Sequence, residues 1–436
     1  MKVKEIEPLE PFVPFENYIQ HLITYLKYLR ILRQTNTFSM PKLFLLNITV
    51  AISLFVNFVV IVSEISMISF HSDIEQISST INPLGLHITG FIKWTYCIIK
   101  SKEISRLLDD LNRCYLLSKK IEIGKRDREG AFSKIEMKTV YKDSRILLYS
   151  WTTFCVYGVC HWCFNALLLN FKGQGKTSNT NNSNVILLPF ITRQPWSIET
   201  VTGYTCSFII QLVGGLTSAV GVSSYDILYV CILMVIYGQL RCLSLSLIDM
   251  NSIVGARTIE EFEMKLRCCV DHHRAVFKIS KSLEALGSLP MFIQCIENII
   301  IICLLSFEVS MIQIKMDSEN LMKLFRLIEY FFALSVQLYI FCFYSTRIYT
   351  LSLQISDAVF ACEWERIIYD KKENMKERKE LLTNKVKHLI LFLLLRSQKP
   401  IIMTGGPFYV LSLETFKSIM TLAVSNGVIL RQFSDN

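Results

Sequence analysis

The sequence predicts an all-α integral membrane protein. Seven transmembrane helices are expected, with a cytoplasmic N-terminus, an extracellular C-terminus and a helical anchor region beneath the membrane. Three observations predict it. Apolar residues make up 51% of the 436, and only 19% are charged, where soluble domains carry about a quarter. Seven stretches are long enough for a helix rising about 1.5 Å per residue to cross a hydrocarbon core of about 30 Å. Lys and Arg fall almost entirely on one side of the resulting topology, and positive charge stays cytoplasmic.

The candidate spans are Leu43–Phe70, Ile77–Ile99, Ile146–Phe171, Val201 to near Ile248, Pro290–Ile314, Leu324–Thr346 and Tyr409–Phe433. The fourth run is the awkward one, because as one helix it would be about 70 Å long. Basic residues decide how to read it. The first 42 residues and segments 100–145, 241–287 and 347–408 hold well over thirty Lys and Arg, whereas 71–76, 172–200 and 315–323 hold five. A hairpin in the fourth run would place two basic segments outside, so one long helix continuing into the cytoplasm is expected. The chain then divides into an N-terminal cytoplasmic segment (1–42), spans one to six with inner extensions (43–346), a cytoplasmic linker and anchor helix (347–408), and a final pore-lining helix (409–436). No cleavable leader is expected, since Lys27, Arg30 and Arg33 interrupt the apolar residues of the first forty positions.

The inner segments carry helical periodicity of their own. Ile104, Leu107, Leu108, Leu111 and Tyr115 recur at helical spacing, as do Leu381, Leu382, Val386, Leu389, Ile390 and Leu393. These two helices are expected to pack with the inner end of the fourth span as a bundle rather than lie on the bilayer. Lys371–Glu380 mixes both charge signs and reads as a solvated linker. Gly173–Asn184 reads as a flexible outer loop, and Asn181-Asn182-Ser183 within it is a glycosylation sequon.

Several function classes are excluded. Most of the fourteen cysteines lie inside apolar runs, where they pack as small apolar side chains. The single CxxC, Cys160 to Cys163, has no second pair at zinc-site spacing, so neither a metal nor a disulfide framework is expected. No catalytic constellation or cofactor motif is present, so the chain is not read as an enzyme and no cofactor is expected. The net charge of +9 sets membrane orientation and does not mark a nucleic-acid partner. His272-His273 reads as a solvated or packed pair.

Four ordered motifs carry a resemblance. Gly238-Gln239-Leu240 is followed by Leu243 and Leu245. Gln337-Leu338-Tyr339 runs into Phe341-Cys342-Phe343-Tyr344. Ser356-Asp357-Ala358-Val359-Phe360 precedes Trp364. Gln398-Lys399-Pro400 and Thr404-Gly405-Gly406 lead into Leu411-Ser412-Leu413-Glu414-Thr415-Phe416. In this order the chain resembles insect odorant receptors, and the likeness extends to length, span number and orientation. It departs from the family at Ser425-Asn426-Gly427 and at Ser345-Thr346. Gustatory receptors, the sister family, are the alternative: the chain keeps Gln432-Phe433 but lacks their preceding Thr-Tyr. A metabotropic seven-span receptor is the further alternative, and it would require the opposite orientation.

The resemblance implies an odour-tuning subunit of a ligand-gated, non-selective cation channel. Its partners would be the odorant-receptor co-receptor in a hetero-tetramer, a small volatile odorant, the lipid bilayer and permeant cations. Its location would be the plasma membrane of olfactory sensory neuron dendrites. The long inner loop that marks the co-receptor is missing between Ile248 and Pro290.

A ligand site is expected in the outer half of the bundle. Cys155, Gly158 and Trp162 share one face of the third span, with the glycine opening space beneath the indole. Tyr204 and Phe208, Tyr330 and Phe331, and His87 and Phe91 are the further candidate walls. On the last helix, Ser418, Leu422, Ser425, Ile429, Gln432 and Phe433 fall on one stripe, away from Arg431. The family resemblance makes Ile429, Gln432 and Phe433 the expected gate. Among intramembrane charges, Glu64 and Lys93 are expected to reach the interface and Asp226 to lie near the inner surface. Glu297 and Glu308 are candidates for interhelical hydrogen bonds or for water-facing positions.

Overall fold

One helix runs through the middle of the molecule and the others are arranged around it. The computed structural model describes residues 13–32, 39–69, 74–122, 132–171, 187–251, 258–312, 318–368, 376–407 and 409–434. The central helix is α7 (Val201–Ile248), preceded by α1 (Phe15–Tyr18), α2 (Gln20–Tyr28), α3 (Met40–Ile68), α4 (Ile74–Ile99), α5 (Ser101–Ile121) and α6 (Phe132–Phe171). After it come α8 (Ile259–Met311), α9 (Ser318–Ala361), α10 (Trp364–Ile368), α11 (Lys376–Ser397), the two-residue strands β1 (Thr404–Gly405) and β2 (Tyr409–Val410), and α12 (Leu413–Ser434).

The 48 residues of α7 form one continuous helix, as the distribution of basic residues predicts. A helix apolar on all sides must be covered on all sides, and α7 is covered by α3, α4, α6, α8 and α9. Small residues let its neighbours approach closely. A Cβ added to Gly221 would stand 2.3 Å from the carbonyl oxygen of Gly90, and one on Gly90 would stand 2.5 Å from that of Ser218. Helices α4 and α7 therefore cross backbone to backbone. Thr200 starts α7 by accepting a hydrogen bond from Gly203 N at 3.1 Å.

Among the described residues, α3, α6, α7, α8 and α9 are long and apolar enough to cross a membrane. Polar residues punctuate α4, and α12 is 22 residues long. Large apolar side chains such as Phe44, Leu45 and Phe55 face outward on α3, as lipid-facing positions do.

At one end, α5 and α11 form a bundle on the first half of α8, a member the sequence did not predict, and α7 reaches it at Gln239. Ile104, Leu107, Leu111, Phe262, Leu266, Cys269, Val386, Ile390 and Leu393 are all buried in a single core. Each fully buried side chain of this kind contributes about 1.5–3 kcal/mol. The N-terminal helices, which the sequence did not predict, join it: the fully buried Tyr115 ring lies 5.8 Å from both Phe15 and Tyr18. His272 and His273 are buried there, and His272 Nε2 is 3.0 Å from Gln239 Oε1. Gln239 of the Gly-Gln-Leu motif thus ties α7 to α8.

Helix α8 contains Pro290. Proline supplies no N–H, so the Leu286 carbonyl four residues earlier loses its helical donor. Tyr96 Oη fills the place at 2.8 Å. Beside it, Gly406 N donates to Ser288 O at 2.9 Å.

Three expectations need correction. The last helix begins at Leu413, because Gly405-Gly406-Pro407 turns the chain, Gly406 at φ 66°, into a hairpin that pairs Gly405 with Tyr409. Ser412 caps it, accepting from Thr415 N at 3.1 Å. Lys376–Glu380 are the first turns of α11 and not a linker, since Lys, Glu and Arg are good helix formers. The rest of that linker (371–375) lies outside the described residues, as do Gly173–Asn184 and its sequon. Finally, Lys93, Glu64 and Asp226 are buried at 4% exposure or less, and each finds a partner inside the protein.

Candidate functional site: an apolar cavity above a buried ion pair

A cavity of about 90 Å³ lies between α4, α6, α7 and α9. Helix α6 supplies Trp151, Cys155, Gly158 and Trp162, which share a face at i, i+4, i+7 and i+11. Helix α9 supplies Arg326, Glu329, Tyr330, Ala333 and Gln337, again one face, and α7 supplies Ala219 and Val222.

The segment before α7 covers it. Phe190 reaches the cavity because Gln211 holds its backbone on both sides: Phe190 N donates to Gln211 Oε1 at 2.9 Å, and Gln211 Nε2 donates to Phe190 O at 3.1 Å. Trp162 Nε1 donates to Pro189 O at 2.9 Å. The Trp162 ring then meets Phe190 at 6.1 Å and the edge of Tyr330 at 6.3 Å, with the Arg326 Cζ 4.5 Å from its centroid. These contacts fix the indole on all sides but the cavity.

The floor is polar. Trp151 Nε1 donates to Asp226 Oδ2 at 3.3 Å, and Gln337 Nε2 donates to the same oxygen. Lys93 Nζ is 2.6 Å from Asp226 Oδ1 and also donates to Gln294 Oε1. Gln294 Nε2 closes the ring by donating to Gln337 Oε1 at 3.0 Å. Lys93, Trp151, Asp226, Gln294 and Gln337 come from α4, α6, α7, α8 and α9, so five helices meet in one network. A buried ion pair is tolerable only when its remaining polar atoms are satisfied in this way.

The structure brings Cys155, Gly158, Trp162 and Tyr330 together around the cavity and places the other predicted wall residues elsewhere. Phe331 packs with Ile301, Leu305 and Ala423 between α8, α9 and α12. Phe208 packs against Val159 and Cys163. Tyr204 Oη accepts from Asn170 Nδ2 at 3.0 Å, and Phe91 meets Phe58 at 6.2 Å. His87 binds Glu64 at 2.9 Å and touches the cavity only through Phe190, ring to ring at 4.7 Å. Glu308 accepts from Ser78 Oγ and Asn82 Nδ2, each at 2.6 Å. Trp151, Phe190, Arg326, Glu329 and Gln337 escaped the sequence reading. A signal exists for Trp151, Arg326 and Gln337, each at helical spacing from Cys155 or Tyr330; Glu329, adjacent to Tyr330, and Phe190 offer none.

On α12 the packed face is Ile419, Ala423 and Gly427. A Cβ on Gly427 would stand 2.8 Å from the Cys303 carbonyl of α8. Ser418, Leu422, Ser425, Ile429 and Gln432 are exposed on the chain, and by helical phase they point away from α8. The Phe433 side chain lies outside the described residues.

Long apolar helices with a small, mostly apolar cavity held among them define the class as a helical membrane protein with an internal pocket. The chain belongs to the 7tm Odorant receptor family, whose profile matches residues 73–424. It is 23% identical to Odorant receptor 2a of Drosophila melanogaster over 248 residues, 53% of this chain and 56% of that receptor, so the match spans little more than half the relative's length. It is 22% identical to the odorant receptor coreceptor of Aedes aegypti over 163 residues, 37% of this chain and 30% of the coreceptor. The insect olfactory receptor OR5 from Machilis hrabei, solved in complex with eugenol, has the same fold: TM-score 0.72 over 96% of this chain and 99% of that one, at 14% identity.

Proposed function

We propose that this chain is the odour-tuning subunit of a ligand-gated, non-selective cation channel in the plasma membrane of olfactory sensory neurons. Helices α3, α4, α6, α7, α8, α9 and α12 are its seven spans, with α5 and α11 cytoplasmic. A small volatile odorant occupies the cavity beside Trp162, and α12 lines a central pore with Ile429, Gln432 and Phe433 at its gate. The co-receptor completes the tetramer.

One observation carries this reading. The walls of the cavity share Trp151 and Gln337 with the network around Asp226, so a ligand touching those side chains also touches the junction of five helices. The eugenol bound by OR5 and the coreceptor among the relatives support the ligand class and the partner. The test is to record odour-evoked current from cells expressing this chain alone and with the co-receptor. Current is expected only from the pair; robust current from this chain alone overturns the obligate partnership.

A further inference from the structure

Two polar corners interrupt the apolar walls, and neither belongs to the network at the floor. Arg326 and Glu329 stand three residues apart on α9 and both line the cavity. Arg326 Nε is buried and makes no hydrogen bond, and the same is true of Glu329 Oε1. Both groups are held in place by their other contacts. His161 Nδ1 lies 2.7 Å from Glu329 Oε2, and the guanidinium lies over the Trp162 ring. Gly158 leaves room on the cavity side, where a Cβ would be 3.5 Å from Glu329 Oε1. Two residues that border one space, three positions apart on one helix face, thus carry a desolvated donor and a desolvated acceptor.

Buried polar atoms left unmet are costly, so a ligand that meets both is favoured over one that meets neither. An alkane meets neither. A ketone, ester or ether accepts from Arg326 but turns lone pairs toward Glu329. A carboxylate is repelled by Glu329, and an ammonium by Arg326. A hydroxyl accepts from Nε–H and donates its own proton to Oε1. We infer that the cavity selects small alcohols or phenols, the hydroxyl seated between Arg326 and Glu329 and the hydrocarbon body against Trp162. This rests on the cavity being the ligand site.

The full-length protein in lipid nanodiscs is titrated with 1-heptanol, hexyl methyl ether, 2-heptanone and octane, which match in heavy-atom number. Tryptophan emission is the readout, because Trp151 and Trp162 both line the cavity. The alcohol is expected to bind about 10- to 100-fold more tightly than the other three, the usual range for hydrogen bonds to charged groups. Arg326→Met is expected to abolish that preference, and the wild-type series stands alone if the variant does not fold. Equal affinity for all four overturns the hydroxyl selectivity and leaves the ligand cavity standing. No response to any of the four overturns both.

Discussion

Lys93 of α4 and Asp226 of α7 form an ion pair, Nζ to Oδ1 2.6 Å, with side-chain exposures of 1% and 4%. Neither charge has water to fall back on, so removing one strands the other. Lys93→Met is expected to cost about 3–5 kcal/mol, read as a loss of thermal stability and of surface expression. The double variant Lys93→Met with Asp226→Leu is expected to recover part of the loss. A double variant no better than the single one would show that the pair does not compensate itself.

Trp162→Ala removes an indole from the cavity wall together with the bond to Pro189. Truncating a buried aromatic costs about 3–5 kcal/mol in a core. A fraction of that at a ligand site shifts an odorant dose–response curve rightward by about tenfold. Surface labelling checks that the variant reaches the membrane. An unchanged curve would make Trp162 a packing residue only.

Acidification is expected to weaken the bundle of α5, α8 and α11. Burial is the main cause that pushes His272 down to about 3, with His273 adding to it, and that pushes His273 down to about 4, with Arg396 adding to it. In the unfolded chain both titrate near 6.5. Between those values the unfolded state binds more protons, so stability is full above about pH 6.5 and falls as pH drops toward 4. Thermal unfolding at neutral pH and at about pH 5 measures this slope, at most about 1.4 kcal/mol per pH unit for each histidine. In the His272→Gln variant the slope is expected to flatten.

The exposed stripe of α12 is tested by cysteine substitution. Ile429→Cys and Gln432→Cys are expected to be blocked by external thiol reagents in the open channel. Ala423→Cys, on the face packed against α8, is expected to be inert. Reaction at 423 with none at 429 and 432 would reverse the helical phase assigned to the pore.

Much of the architecture was legible because hydropathy and charge are local signals. The single long α7 followed from where Lys and Arg lie, and α5 and α11 from the periodicity of Ile104 to Tyr115 and Leu381 to Leu393. Side-chain partnerships were not legible. Lys93 and Asp226 are 133 residues apart, and each alone looked like a charge near the end of a span. Nothing local in the sequence marks His87 as the partner of Glu64, 23 residues away. The hairpin at Tyr409 was hidden because its apolar residues run without a break into α12, while the cue, Gly405-Gly406-Pro407, sits just before. On α6 and α9 part of a face, Cys155, Gly158, Trp162 and Tyr330, was legible from helical spacing, and folding supplied the charged and aromatic remainder.

The proline in α8 divides that helix into two levers with a shared fulcrum. Its first half is clamped in the bundle by Phe262, Leu266 and Cys269, while its second half carries α12 through the contact at Gly427. At the fulcrum the Leu286 and Ser288 carbonyls are held from outside the helix, by Tyr96 and Gly406. Bending there sacrifices no Pro290 amide bond, since none exists. Gly406 belongs to the hairpin that leads into α12, and Tyr409 of the same hairpin donates to the Met291 carbonyl just past the proline, so the root of the last helix is tied to α8 on both sides of Pro290. A change in the angle between the two levers would therefore be felt by the last helix at two points, its root and the turn that carries Gly427, rather than one.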